Sequence, residues 1–448
     1  MLRTTRSAMV VLAALAVTIG ALESIPFPAL PLLQRELGLD PAQAGLLSTT
    51  LIITSAVTMP IVAKIADDRG GRRTLLVLTW CIVAGAMLSA FATTFPVILL
   101  GQFLQGLGGG ILPVSFVVAR ELFTDSTPAA VGWLTGLFTV GTGLGVLASG
   151  PLADALSRRW MFLLPALIVS AVALIAPVVL PGRARVRAAR LDWLGGILLA
   201  FALATLMLAL YLGALVLLAL TLVLGAGWVL VERRAAHPMV DLHILRTRGV
   251  WTASVMAGVL GASYSATYFL VPQLLSTSRF NATPSDISLY LFPTVVVAIV
   301  VGPLSGLLVR RAGARAVVVA GLALTAAGTL FLAVWHEMPW QIVLGMLVTL
   351  GLGVGTASTA TYTSVIASVP EENTGVASAT CGIARAIGAA LGVQVAAALL
   401  TSSPSDGTFR LGFLLAAVVV LLPLVLLRGV PGRSGERGFR SGLAVAQG

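Results

Sequence analysis

Residues 192–231 read DWLGGILLAFALATLMLALYLGALVLLALTLVLGAGWVLV, and the number of times this stretch crosses a bilayer decides the fold. As one helix rising ~1.5 Å per residue it would extend ~60 Å, twice the ~30 Å hydrocarbon core. Arg183, Arg185, Arg187 and Arg190 precede it; Arg233, Arg234, Arg246 and Arg248 follow. Short basic loops belong on the cytoplasmic side, so an even number of crossings separates these flanks. A break near Tyr211-Leu212-Gly213 gives two spans joined by a tight outer turn.

The rest of the chain follows the same pattern. Apolar segments at about 8–30, 44–64, 74–94, 97–119, 131–153, 160–180, 192–210, 214–231, 249–271, 287–309, 316–335, 340–362, 378–400 and 410–428 are each long enough to cross. Charged residues make up 10% of the chain and mean hydropathy is +1.01, which leaves little for a soluble domain. Backbone groups in lipid must be satisfied within the segment, so these spans are helices. Barrel strands would be shorter and would alternate.

With the N-terminus inside, 22 of the 28 Lys and Arg residues fall in inner loops and five outside, the last being intramembrane Arg385. The net charge of +11 is therefore an orientation signal, and no nucleic-acid partner is expected. Twenty-seven Arg against one Lys is the usage of a GC-rich bacterial genome. The expected location is a bacterial plasma membrane with both termini cytoplasmic. Arg3 and Arg6 before an apolar run to Leu22 read as an uncleaved first helix. Cys81 and Cys381 fall inside spans as small apolar residues.

An internal repeat orders the spans. Residues 63–72 (AKIADDRGGR) follow span two and residues 306–315 (GLLVRRAGAR) follow span ten, at an offset of 243. At that offset Pro41 matches Pro284 and Pro60 matches Pro303. Two parallel six-helix halves with a two-helix insert produce this spacing, which is a transporter design. The expected domains are an N-terminal bundle (1–180), an insert with its flanking loops (181–248), a C-terminal bundle (249–428) and a tail (429–448).

The residues also carry a resemblance. Ala63-Lys64-Ile65-Ala66-Asp67-Asp68-Arg69-Gly70-Gly71-Arg72-Arg73 is similar to the loop signature of the major facilitator superfamily, with Ala63 for the leading Gly and Asp68 for the first Arg. Asp67, Gly70, Arg72 and Arg73 fit, and a carboxylate facing guanidinium groups across a Gly turn would form a cytoplasmic gate. Gln102-Phe103-Leu104-Gln105-Gly106-Leu107-Gly108 resembles the Arg-x-x-Gln-Gly-x-Gly motif of drug exporters, with Gln102 at the position of the proton-linked Arg. Gly141, Gly145, Ser149 and Gly150 resemble the antiporter motif, with Val146 for Pro and Ser149 for Gly. Close helix packing is an equally direct reading of Gly106, Gly141, Gly145 and Gly150. Leu22-Glu23-Ser24, Leu191-Asp192-Trp193-Leu194-Gly195 and residues 385–392 (RAIGAALG) resemble the fourteen-helix drug–proton antiporter branch. The resemblance implies an all-α membrane protein with the major facilitator fold, working as a monomer without cofactor on a small hydrophobic or cationic substrate and protons.

Only Glu23 and Arg385 lie well inside the expected spans. An ionised group there is costly and should face the bundle interior or water. Glu23 is expected to bind a proton or a cationic substrate, one at a time. Pro26, Pro28 and Pro31 follow it and should break the helix, leaving carbonyls free nearby. Arg385 either balances that charge in the second half or bonds carbonyls and holds helices together. Tyr264 and Tyr268, four apart on one face, either stack on a flat substrate or pack. Gln102 and Gln105 offer neutral hydrogen bonds to a cavity.

Other chemistry finds no support. No Gly-Lys-Ser/Thr loop exists for ATP. His237, His243 and His336 lie outside the spans without metal-ligand spacing and read as solvated loop residues. A membrane enzyme would need paired acids at a membrane edge. The adjacent pairs Asp67–Asp68 and Glu371–Glu372 sit in loops of transporter pattern. The expected task is proton-driven export of a hydrophobic or cationic compound such as a drug or antibiotic; the alternative is uptake or export of a specific metabolite, with or without protons.

Overall fold

The computed structural model describes residues 2–122, 127–180, 193–235, 247–369, 374–402 and 405–423. The described residues are helical throughout, with short turns between helices. The helices are α1 (Leu2–Ser24), α2 (Leu30–Leu37), α3 (Pro41–Arg69), α4 (Gly71–Phe91), α5 (Phe95–Leu107), α6 (Ile111–Leu122), α7 (Thr127–Ala155), α8 (Arg158–Val179), α9 (Trp193–Leu212), α10 (Leu215–Arg234), α11 (Arg248–Leu275), α12 (Pro284–Ala312), α13 (Ala314–Val334), α14 (Pro339–Met346), α15 (Gly355–Ile366), α16 (Thr374–Ser402) and α17 (Asp406–Leu421).

Twelve helical stretches among the described residues are long and apolar enough to cross a membrane, against the fourteen expected. Within residues 192–231, α10 qualifies. Its partner α9 has an apolar core of 16 residues, Leu194–Ala209, about 24 Å of helix and short of the hydrocarbon thickness. The final helix α17 has 16 residues. The break between α9 and α10 falls at Gly213, whose φ of +62° suits a residue without Cβ. The basic flanks 183–190 and 236–246, the pair Glu371–Glu372, the Leu191-Asp192 start of one motif, and the tail 429–448 lie outside the described residues.

The repeat is visible in the backbone. Pro41 and Pro284 open α3 and α12, and Pro60 and Pro303 lie inside them. Gly70 (φ +93°) and Gly313 (φ +88°) end those helices at the same offset, so each half turns its chain at a glycine the left-handed region requires. Span four is interrupted by a 3₁₀ turn at Gly108–Gly110. Residues 351–353, at the same offset, fall in a π-helical segment, Leu347–Val354, between α14 and α15.

The chain divides into two compact units: Met1–Met239 with Pro272–Phe292, and Val240–Val271 with Pro293–Gly448. The insert helices thus fall in the first unit. There α9 lies on α3, and Thr221 on α10 donates to Thr205 Oγ1 on α9 at 3.0 Å. Much of the rest of α10 is exposed, Leu215 and Val216 each at 80%, and these exposed side chains are apolar, as hydrocarbon requires.

In the first unit α1 and α7 touch backbone to backbone. A Cβ on Gly141 would lie 2.0 Å from the Val17 carbonyl oxygen, and one on Gly145 2.4 Å from that of Ala21. α1 ends at Ser24 and α2 begins at Leu30, so the prolines break the helix where expected. The freed Ile25 carbonyl accepts from Ser149 Oγ at 2.6 Å. The hydroxyl at this motif position therefore replaces a bond the chain break removed.

Near that same end of the unit, Arg158 is 9% exposed. It pairs with Glu36 at 2.7 Å and donates to the Ala92 carbonyl at 2.8 Å, joining α8, α2 and the end of α4. Arg158→Ala strips both partners, and we expect a loss of about 2 kcal/mol, read as a lower thermal midpoint of the detergent-solubilised protein. Arg158→Lys should recover only part, because one ammonium cannot span both acceptors.

In the second unit α11 and α16 cross just as closely. A Cβ on Gly388 would lie 1.8 Å from the Gly258 carbonyl oxygen and one on Gly392 2.1 Å from that of Ala262. His336 corrects the expectation of a solvated loop histidine. It is 2% exposed, with Nδ1 at 2.7 Å from the Leu332 carbonyl and Nε2 at 3.0 Å from Asp406 Oδ1. The polar end of α13 and the start of α17 need a bridging donor once packed, which local sequence does not reveal. His237 and His243 lie outside the described residues.

Candidate functional site

In the first unit, Glu23 occupies the last turn of α1, half-buried. It lines a narrow cleft with Pro26, Phe27, Ser48, Ile98 and Gln102. The free volume is about 10 Å³, room for at most a single water. The helix break sets this up: Ser24 Oγ binds the Gly20 and Thr142 carbonyls, which fixes the turn carrying Glu23 against α7. Glu23 and Gln102, two separate expectations of the sequence, therefore line one cleft.

Gln105 behaves differently. Its amide nitrogen donates to Ser89 Oγ at 2.8 Å and reaches the Gly85 and Gly101 carbonyls at 3.4 Å. Gln102 Nε2 reaches the same Ser89 hydroxyl at 3.4 Å. Both glutamines are 4% exposed, and Gln105 Oε1 has no partner. The pair binds α5 to α4, which meet at Gly85 and Gly101, and Gln102 alone also lines the cleft. Ser89 escaped the sequence reading, because one serine in an apolar span carries no signal until its neighbours are known. Gly106 packs on Thr54, and its carbonyl accepts from Ser55 Oγ at 3.1 Å.

At the expected cytoplasmic gate, Gly70 makes the turn between α3 and α4. Arg72 Nη2 donates to the Pro177 carbonyl near the end of α8, a cation on the negative end of a helix. Arg73 is exposed. The Asp67 side chain lies outside the described residues. What is seen of Arg72 is thus a bond to α8. Gly150 sits at the far end of α7, where its amide donates to Ser288 Oγ at 2.8 Å, and Asp154 accepts from the Ser285 amide at 2.9 Å.

In the second unit, Tyr264 and Tyr268 stack on each other, centroids 5.5 Å apart and planes within 10°. Tyr268 is 5% exposed, so this ring packs. Arg385 on α16 is exposed, and its backbone carbonyl sits over Gly261. A further buried acid lay just past an expected span: Glu232, in the last turn of α10, is 3% exposed. No group of three or more metal-ligating side chains is found among the described residues.

The architecture is that of a polytopic helical membrane transporter built on a duplicated half. The chain belongs to the Major Facilitator Superfamily, whose profile matches residues 12–231 and 253–445. It is 28% identical over 387 residues to the multidrug resistance protein Stp of Mycobacterium tuberculosis, covering 84% of this chain and 72% of that protein. It is 29% identical over 412 residues to the lincomycin resistance protein of Streptomyces lincolnensis, covering 86% and 82%. It is 27% identical over 375 residues to a uridine/deoxyuridine transporter of Lactococcus lactis, covering 78% and 77%. Among solved structures, the nucleoside transporter NupG superposes with a TM-score of 0.71 at 12% identity, covering 94% of this chain and 99% of that one.

Proposed function

We propose that this transporter exports hydrophobic or cationic compounds, antibiotics among them, from a bacterial cell by proton-coupled alternating access. In this reading the chain crosses fourteen times as a monomer with both termini cytoplasmic, α9 and α10 forming the extra pair. Glu23 carries the coupling proton or the substrate's positive charge. Gln102 stands beside it, Asp67 with Arg72 and Arg73 works the cytoplasmic gate, and Arg385 is the charge of the second half.

The observation that carries the reading is the shared cleft of Glu23 and Gln102 at the end of a broken helix. An acid there can gain and lose a proton in a confined site, which is what coupling needs. The resistance proteins among the relatives support the substrate class. In everted vesicles a cationic dye should accumulate when the vesicle lumen is made acidic, and accumulation should collapse with the gradient. Uptake unaffected by collapsing the gradient would remove proton coupling.

A nucleoside substrate is the second reading, favoured by the uridine transporter relative. Labelled uridine that competes with the dye, or replaces it as the only transported probe, would decide for it.

A further inference from the structure

The second unit holds a cavity of about 590 Å³ that the transport reading does not use. Its walls are α11, α16 and α17, with Trp251, Val259, Leu391, Val395, Leu415 and Val419 among the lining side chains. The small residues that let α11 and α16 touch at Gly258–Gly388 and Ala262–Gly392 leave nothing to fill the space beside the crossing. Trp251, Val395 and Leu415 at the walls are 46%, 48% and 38% exposed. The mouth is therefore apolar, as a surface that meets hydrocarbon is.

One polar group in this cavity is unexplained. Ser254 Oγ and Cys381 Sγ lie 3.6 Å apart and engage each other. Ser263 lines the cavity, is 0% exposed, and its hydroxyl has no hydrogen-bond partner. A serine in a membrane helix ordinarily bonds the carbonyl four residues back. Thr267 does so, to the Ser263 carbonyl at 2.8 Å, whereas Ser263 itself does not. Leaving such a hydroxyl unpaired in an apolar medium costs about 1–3 kcal/mol. Ser263 lies about 22 Å along α11 from its first residue, near the middle of that helix.

We propose that this cavity binds a rigid, drug-sized lipophilic molecule that is dissolved in the bilayer and presents one hydroxyl or carbonyl to Ser263. The volume is that of a small-molecule site. A phospholipid tail is the competing occupant. It carries no polar atom at mid-membrane depth and would leave Ser263 as it stands. The inference gains its physiological sense from the proposed handling of hydrophobic compounds. Its test reads binding without any gradient, so it fails or stands apart from export.

The test is photo-cross-linking of the full chain in phospholipid nanodiscs with a diazirine-bearing steroid alcohol and its deoxy analogue, the labelled residues being mapped by mass spectrometry. Labelling should concentrate on α11 and α16 around Val259 and Val395. Half-saturation should come at about three- to tenfold lower concentration for the alcohol. Ser263→Ala, which deletes an unpaired hydroxyl and changes little volume, should erase that advantage. Val259→Trp should fill the cavity and cut labelling by both probes. An alcohol preference that survives Ser263→Ala overturns the proposal. So does labelling spread evenly over α10 and α11, or equal displacement of both probes by added phospholipid, the mark of an acyl chain as occupant.

Discussion

Glu23→Gln is expected to abolish gradient-driven accumulation while leaving downhill flux. One proton crossing one pH unit supplies about 1.4 kcal/mol, enough to hold a roughly tenfold substrate gradient. If Glu23 carries that proton, the glutamine variant should equilibrate its substrate and hold no gradient. The substitution is nearly isosteric, so the cleft with Phe27, Ile98 and Gln102 stays filled and folding is spared. Glu23→Asp should keep coupling at reduced rate, since it retains a carboxyl but draws it back toward the α1 backbone. The measurement is dye accumulation in everted vesicles at matched protein level. Normal accumulation by Glu23→Gln would place coupling elsewhere.

The second large effect concerns folding. Gly141→Leu is expected to destroy the first unit. A Cβ there would lie 2.0 Å from the Val17 carbonyl oxygen and 2.7 Å from Val17 Cα. These are backbone atoms, so no rotamer relieves the clash, and α1 must leave α7. Overpacking costs about 1–3 kcal/mol where side chains can shift, and here it should exceed that. Separation also breaks the Ser24–Thr142 and Ser149–Ile25 bonds. Gly136→Leu on the same helix is the control, because a Cβ there meets nothing within 4 Å. The yield of monodisperse protein after detergent extraction should fall about tenfold or more for Gly141→Leu and stay near the parent for Gly136→Leu. Equal yields would mean that α1 and α7 do not pack as described.

The glycines show how far local sequence reaches. Gly106, Gly141, Gly145 and Gly150 stand in stretches that resemble family motifs and also read as packing glycines, and all four sit at close approaches. Gly388 and Gly392 make equally tight crossings within a stretch chosen only for its family likeness. Spacing names the small residues but not the helix that will press on each. Gln102 and Gln105 make the same point. They are three apart on one helix and chemically identical, yet one lines the cleft and both hang on Ser89. Arg72 is seen bonded to the Pro177 carbonyl of α8, an acceptor that packing brings near and that no local pattern in the chain announces.

The amino-acid sequence alone determined the solvent, the helical class, a break near Tyr211-Leu212-Gly213 and the 243-residue repeat with its paired prolines. Those features follow from local rules: hydrocarbon demands internally bonded helices, and a left-handed turn demands glycine. Only the tertiary structure decided that Glu23 and Gln102 line one cleft, that His336 is buried against Asp406, and that the buried Ser263 hydroxyl at a cavity wall stands unpaired. Each depends on which faces of distant helices meet. In lipid that choice is made by shape and a few hydrogen bonds, and neither leaves a periodic trace in the chain.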